Sequence, residues 1–318
     1  MGIAILGVCL LHAFAWAEVD QTIVAKVMAP IARIAFTEGF LFLSGFGLYY
    51  SFSRNSDIRT FYTKRVHRVL LPYMIMTAPF FLYGFMSGNS SLPKIILQSS
   101  TLYFWFCGND GMWYISMSMA LYLIFPLAYR FMFDNKTEKA IQVRTTLLVG
   151  FSILVCYGLY RYAPDFYHMV NIGISKTPIF FLGMLIGYFS FHKKAISLKH
   201  LIGGGTLLCL MVVLKSKSDF CVPFYEIAYR LLMMPLTCIF LKLLNFRRLE
   251  NFLSWFGKYS LEIYVLQMLM IGTMDKVLQD LGFQSDYYQI WQTVLAFGFV
   301  LAVCAPVHKG IDRIINRK

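Results

Sequence analysis

About ten apolar runs follow one another along this chain, each close to the length needed to cross a bilayer as a helix. A helix rises about 1.5 Å per residue, so a hydrocarbon core about 30 Å thick takes roughly 20 residues. The runs are roughly Gly2–Ala17, Ala35–Phe52, Val69–Phe85, Met112–Phe133, Thr145–Tyr160, Thr177–Phe191, Leu201–Leu214, Glu226–Leu244, Phe252–Thr273 and Ile290–Val307. Ile95–Cys107 is only partly apolar and reads as an interfacial or re-entrant segment. Hydrophobic residues make up 58% of the chain and charged residues 14%, against about 25% charged in soluble domains. That much apolar surface cannot be hidden in one globular core. The expected fold is an all-α, polytopic membrane bundle forming a single domain over 1–318.

The loops between the runs alternate in charge. With Arg130, Lys242 and Lys258 at the adjoining run ends included, twenty of the 29 Lys and Arg cluster around the loops after the second, fourth, sixth and eighth runs and in the C-terminal tail. The positive-inside rule places those clusters, and both termini, in the cytoplasm. This accounts for the net charge of +13 without nucleic acid, for which the chain carries no recognition signature. A bilayer is the expected partner, with anionic lipid or a phosphate-bearing ligand at the basic loops. Seven cysteines are scattered with no CxxC pair, and no metal-ligand spacing appears. Most of the cysteines lie in apolar runs as packing residues; Cys107 and Cys221 fall near the predicted outer face, where a disulfide is one option. There is no positive n-region or small-residue cleavage site of a signal peptide.

His12 interrupts the first run about 16 Å along its helix, near the bilayer midplane. An ionisable group there faces a protein interior or a water-filled cavity. A neutral histidine bonded to a neighbouring helix fits the position as well as a proton-transfer group does. Glu38 precedes the second run, as an interfacial carboxylate or an orienter of an imidazole; Ser44, Gly45 and Gly47 would let another helix come close. Lys64, Arg65 and Arg68 lie in FYTKRVHRVLLPY at the cytoplasmic mouth of the third run. Lys64 and Arg68, four apart, share a face of an α-helix. Topology and lipid headgroups explain such a loop, and so does a phosphate site, which guanidinium suits. Trp113 opens the fourth run, as a belt aromatic or a substrate contact. Tyr264 and Gln267 share a face in the ninth, beside Glu262. Arg161, Asp165 and His168 read as an outer loop, Glu226 and Arg230 as an ion pair, and His192 and His308 as isolated residues at helix ends.

Several short motifs occur in order on this frame: GIAILxVxLxH, EGFLFLSGF, KRVHRVLLPY, the Trp-led fourth run, FFLGMLIGYF and GKYSLEIYVLQ. Together they resemble the acyltransferase 3 family of integral membrane acyltransferases, over essentially the whole chain. The resemblance implies an O-acyltransferase of a bacterial inner membrane. It would move an acetyl or other short acyl group from cytoplasmic acyl-CoA, the donor co-substrate, to a hydroxyl of a lipid-linked or surface glycan, with no metal. It implies His12 as the essential histidine, Glu38 as the acidic position, Arg65 and Arg68 as donor-binding cations with Lys64 beside them, and Tyr73 as the aromatic after the proline. Trp113, Tyr264 and Gln267 would then meet substrate.

Three positions depart from the family pattern. The arginine usual eleven residues before the histidine falls at Met1, so either translation begins upstream or the cation is lacking. Ser118 and Met119 stand where many members carry a glutamate. Gln267 replaces a late histidine; it hydrogen-bonds but is no base at neutral pH, which leaves His12 as the expected intramembrane imidazole. A proton-coupled transporter or glycan exporter is the alternative, since a midplane histidine and helix-bending prolines suit it too; no inverted repeat supports it.

Overall fold

The computed structural model describes residues 1–15, 39–108, 111–134, 136–194, 206, 210–228, 246–283 and 288–316. These residues are almost entirely helical, and no strand occurs among them. The chain divides into two compact units. Met1–Thr37, Val66–Ser99 and Leu244–Lys318 form the first; Glu38–Arg65 and Ser100–Leu243 form the second.

The first unit holds α1 (Gly2–Ala15), α4 (Leu71–Met86), α5 (Leu92–Ser99), α11 (Arg247–Lys258), α12 (Ser260–Asp280) and α13 (Tyr288–Ile315). α12 is its central helix. Six consecutive residues, Glu262 to Gln267, are buried, so no face of that stretch is free. It packs against α1, α4 and α13. α13 offers it Ala296, Val300 and Cys304, all at 0% exposure and four residues apart, the spacing of one helical face. α1 lies so close to α11 that a Cβ on Gly2 would run into the Leu253 carbonyl. α11 is different in kind: Arg247, Arg248, Glu250 and Asn251 are exposed and Phe256 is buried, the pattern of a helix lying in a membrane interface.

The second unit holds α2 (Gly39–Arg54), α3 (Ile58–Arg65), α6 (Tyr103–Cys107), α7 (Trp113–Phe133), α8 (Glu138–Tyr162), α9 (Pro164–Ile174) and α10 (Thr177–Phe191). Lipid is as apolar as leucine, so helices in it are joined by close packing rather than by the hydrophobic effect. α2 and α10 achieve this with small residues. A Cβ on Gly45 would fall on the Phe180 carbonyl, and one on Gly183 on the Phe42 carbonyl. Gly183 and Gly187 make a GxxxG pair in α10. Gly47, by contrast, has nothing among the described residues within 4 Å of its would-be Cβ, so no described helix approaches closely there.

Leu123, Leu127, Phe151 and Leu154 are 63–69% exposed on α7 and α8. Outward faces this apolar belong in lipid, where a helix has satisfied its own backbone. Among the described residues five helices are long and apolar enough to cross a membrane: Ile58–Met86, Trp113–Phe133, Glu138–Tyr162, Pro164–Phe191 and Trp291–Ile315. They correspond to the third, fourth, fifth, sixth and tenth runs. α1 and α2 are apolar but short, at 14 and 16 residues. The seventh and eighth runs fall mostly outside the described residues.

Four sequence expectations change. The ninth run is broken at Tyr259, so its first part is the separate amphipathic α11 and its second is α12. Asp165 and His168 lie in helix α9, and Arg161 in the last turn of α8, instead of in a loop. The basic segment before Pro72 is helical, with a π turn over Val66–Leu70. A π turn bonds i to i+5, so the spacing that would align Lys64 with Arg68 on an α-helix does not carry across it. Cys107 and Cys221 are both free thiols.

Candidate active site

His12 sits on α1 one turn beyond Cys9. The Cys9 thiol donates to Gln267 Oε1 on α12 at 3.1 Å. This bond joins two helices from opposite ends of the chain, and residues three apart share a helical face. His12 and Gln267 therefore belong to one α1–α12 junction. Gln267 is fully buried. Its Oε1 is held by Cys9, while its Nε2 makes no hydrogen bond among the described residues. A carboxamide fixed at its oxygen keeps its N–H groups in a set direction, ready for an acceptor. His12 is half-buried, with its Nδ1 inside the protein. Tyr264, one turn before Gln267, is buried as well. A proton acceptor, a buried amide donor and an apolar surround are the parts that acyl transfer to a hydroxyl requires.

A second pairing lies in the first turn of α12. His308 Nδ1 stands 2.6 Å from Glu262 Oε1, and its Nε2 is 3.4 Å from Asp312 Oδ2. The Tyr259 ring meets the imidazole edge-on at 5.2 Å. Glu262 is only 4% exposed. The isolated position expected for His308 is thus replaced by a place inside α13 with a carboxylate at each ring nitrogen. The sequence held the signal: a glutamate within an apolar run must find a partner, and the adjacent apolar helix offers one imidazole.

The remaining predicted residues divide between the units. In the first unit Tyr73 is 1% exposed, and its hydroxyl donates to the Gln98 carbonyl at 2.9 Å. That proton ties α4 to the end of α5, which makes Tyr73 a positioning residue there. Arg68 is exposed in the π turn. In the second unit the Arg65 guanidinium lies over the Phe61 and Tyr122 rings, 5.6 and 5.9 Å from their centroids. Lys64 is exposed. Trp113 begins α7 with the Lys176 ammonium 5.2 Å from its ring. Ser44 of α2 bonds the Tyr122 hydroxyl of α7 at 3.0 Å. Glu38 and Arg230 lie outside the described residues.

A family model described as an acyltransferase domain matches residues 2–309. No curated protein and no solved structure matches the chain.

Proposed function

Because the chain belongs to the acyltransferase 3 family, we propose that it O-acylates a cell-envelope or lipid-linked glycan, taking acetyl or another short acyl group from cytoplasmic acyl-CoA. Its place would be a bacterial inner membrane. Membrane residence and acyl transfer are properties of the family; donor, acceptor and mechanism are our reading.

One observation carries the mechanism: the junction where Cys9 holds Gln267 beside the turn bearing His12. His12 takes the proton of the acceptor hydroxyl. The hydroxyl oxygen attacks the thioester carbonyl, and the carbon–sulfur bond breaks as the ester forms. The imidazolium returns its proton to the departing thiolate. Gln267 Nε2 donates to the carbonyl oxygen as negative charge builds on it. General base catalysis of this kind contributes about 10²–10⁴-fold in rate, and one such donor about 10²–10³-fold. Arg65, Arg68 and Lys64 supply positive charge for the donor phosphates, and the family pattern gives Glu38 the part of its acidic residue.

Membranes holding matched amounts of wild type and His12→Ala test the proposal with labelled acetyl-CoA. Ester label in the glycan fraction with wild type, and none with His12→Ala, is the expected result. Equal label with both removes His12 from the reaction.

A further inference from the structure

The second unit carries a groove of about 460 Å³ between α7 and α8, floored by Phe181 of α10. On α7 its lining recurs at Met117, Ala120, Ile124, Leu127 and Phe131. Steps of three and four residues put these side chains in one continuous stripe. Phe151 and Val155 of α8 form the other wall. The lining is apolar; the Ser152 hydroxyl, which also lines it, donates to the Val149 carbonyl at 2.8 Å. Leu127 and Phe151 are 69% and 65% exposed, so the groove opens on lipid.

Its length sets it apart. From Met117 to Phe131, α7 climbs about 21 Å at about 1.5 Å per residue. One leaflet supplies half of a core about 30 Å thick, or about 15 Å. A hydrocarbon chain that fills the groove therefore runs past the bilayer midplane, where the chains of an ordinary phospholipid end. About 460 Å³ spread over about 21 Å has the section of one such chain.

A cation stands at one end. Arg144 of α8 donates from Nη1 to the Phe131 carbonyl at 2.7 Å, and its guanidinium carbon lies 5.1 Å from the Phe131 ring centroid. The guanidinium is thus fixed beside the last lining residue of α7. Among the described residues no carboxylate pairs with it. Guanidinium has five N–H donors, of which the Phe131 carbonyl takes one. Arg144 belongs to a basic cluster that the positive-inside rule places in the cytoplasm.

An apolar groove longer than a leaflet, ending at a fixed guanidinium, suits a lipid with one long chain and a phosphate head. Polyisoprenyl phosphates, on which glycans are carried, are built in that way. A two-chain anionic phospholipid would use Arg144 but leave the outer part of the groove, at Met117 and Ala120, unfilled. We propose that this groove seats the chain of a polyisoprenyl phosphate that carries the acceptor glycan, with its phosphate at Arg144. The inference rests on the lipid-linked form of the acceptor named above, and it presents that acceptor on the cytoplasmic side.

The test uses the full chain in detergent micelles with undecaprenyl phosphate, read by native mass spectrometry. Wild type is expected to hold one molecule against an equal concentration of phosphatidylglycerol. Arg144→Ala removes the phosphate partner, and Ala120→Phe fills the outer part of the groove; each should weaken binding by about tenfold or more. Leu147→Phe, at a residue 58% exposed on α8 but outside the groove, should leave binding unchanged. Unchanged binding in Arg144→Ala and Ala120→Phe overturns the inference, as does displacement of the probe by phosphatidylglycerol at equal concentration. Acyl transfer to a polyisoprenyl-linked glycan, measured on the same proteins, separates the two readings. Transfer with the acceptor KM unaltered in Arg144→Ala sinks this site and leaves the reaction standing. Binding that depends on Arg144, with no transfer by wild type to a glycan on that carrier, sinks the lipid-linked acceptor and this assignment with it.

Discussion

Glu262 Oε1 and His308 Nδ1 are 2.6 Å apart, on neighbouring helices and 46 residues apart in sequence. The carboxylate is almost wholly buried, while the His308 side chain keeps 25% of its surface exposed. Removing either partner has a different cost for that reason. His308→Ala leaves a buried carboxylate without its donor, a change that typically costs about 3–5 kcal/mol. Glu262→Gln retains an acceptor for Nδ1–H and should cost about 1 kcal/mol. Thermal unfolding of the two variants in the same detergent checks the order: His308→Ala should melt well below Glu262→Gln, and equal melting temperatures would refute it.

The glycines of α2 and α10 make a second prediction, built on a contrast within one helix. Gly45→Ala and Gly183→Ala each drive a methyl group into a backbone carbonyl, an overpacking that costs about 1–3 kcal/mol or more. Gly47→Ala meets open space and should be neutral or stabilising by up to about 1 kcal/mol, the helix preference for alanine. Yield of monodisperse protein and its melting temperature distinguish the three.

The Cys9–Gln267 bond predicts a graded effect on activity. Cys9→Ser keeps a donor to Oε1 and should leave transfer within a few-fold of wild type. Cys9→Ala releases the amide and should lower kcat with less change in donor KM. Gln267→Leu removes the donor altogether and should lower kcat by about 10²-fold or more. Near-wild-type turnover in Gln267→Leu would exclude this amide from the reaction.

A pH dependence follows at the start of α3. Asp57 Oδ2 accepts from Thr60 N–H at 2.7 Å, the bond of an N-cap residue. Hydrogen bonding from the Thr60 side chain and backbone, with Arg59 nearby, holds the carboxyl below its ordinary value. A folded-state pKa lowered in this way gives stability that is present above about pH 4 and is lost as pH falls through the lower folded value. Amide exchange at Thr60 and Phe61, corrected for the intrinsic pH effect, should therefore quicken on acidification in wild type and much less so in Asp57→Asn. Equal acid response in both would show that another group controls the cap.

The helices were legible in the sequence because apolar length is a local property. Phe125 and Met132 of α7 announce themselves as apolar wherever they point. Pairings between distant residues were not legible. Cys9 reads as packing and Gln267 as a lost histidine until the thiol is seen on the amide oxygen, 258 residues away. Glu262 needed a partner by any reckoning, yet His308 looked terminal, because the tenth run was ended at Val307 whereas α13 continues to Ile315. The break at Tyr259 was hidden because α11 and α12 are both rich in apolar residues, and only the angular distribution of Arg247, Glu250 and Phe256 separates an interfacial helix from a spanning one. The π turn leaves no compositional mark at all.

Gly187 brings the α10 backbone against Phe46 and Tyr49 of α2, one residue before Tyr188. The side chains of Tyr49 and Tyr188 thus rise from two backbones that touch directly, with no flexible side chain between them to take up slack. A pair built on such a seam is cast rather than hinged. The spacing of Tyr49 and Tyr188 is set there by two backbones in contact and not by the reach of their side chains.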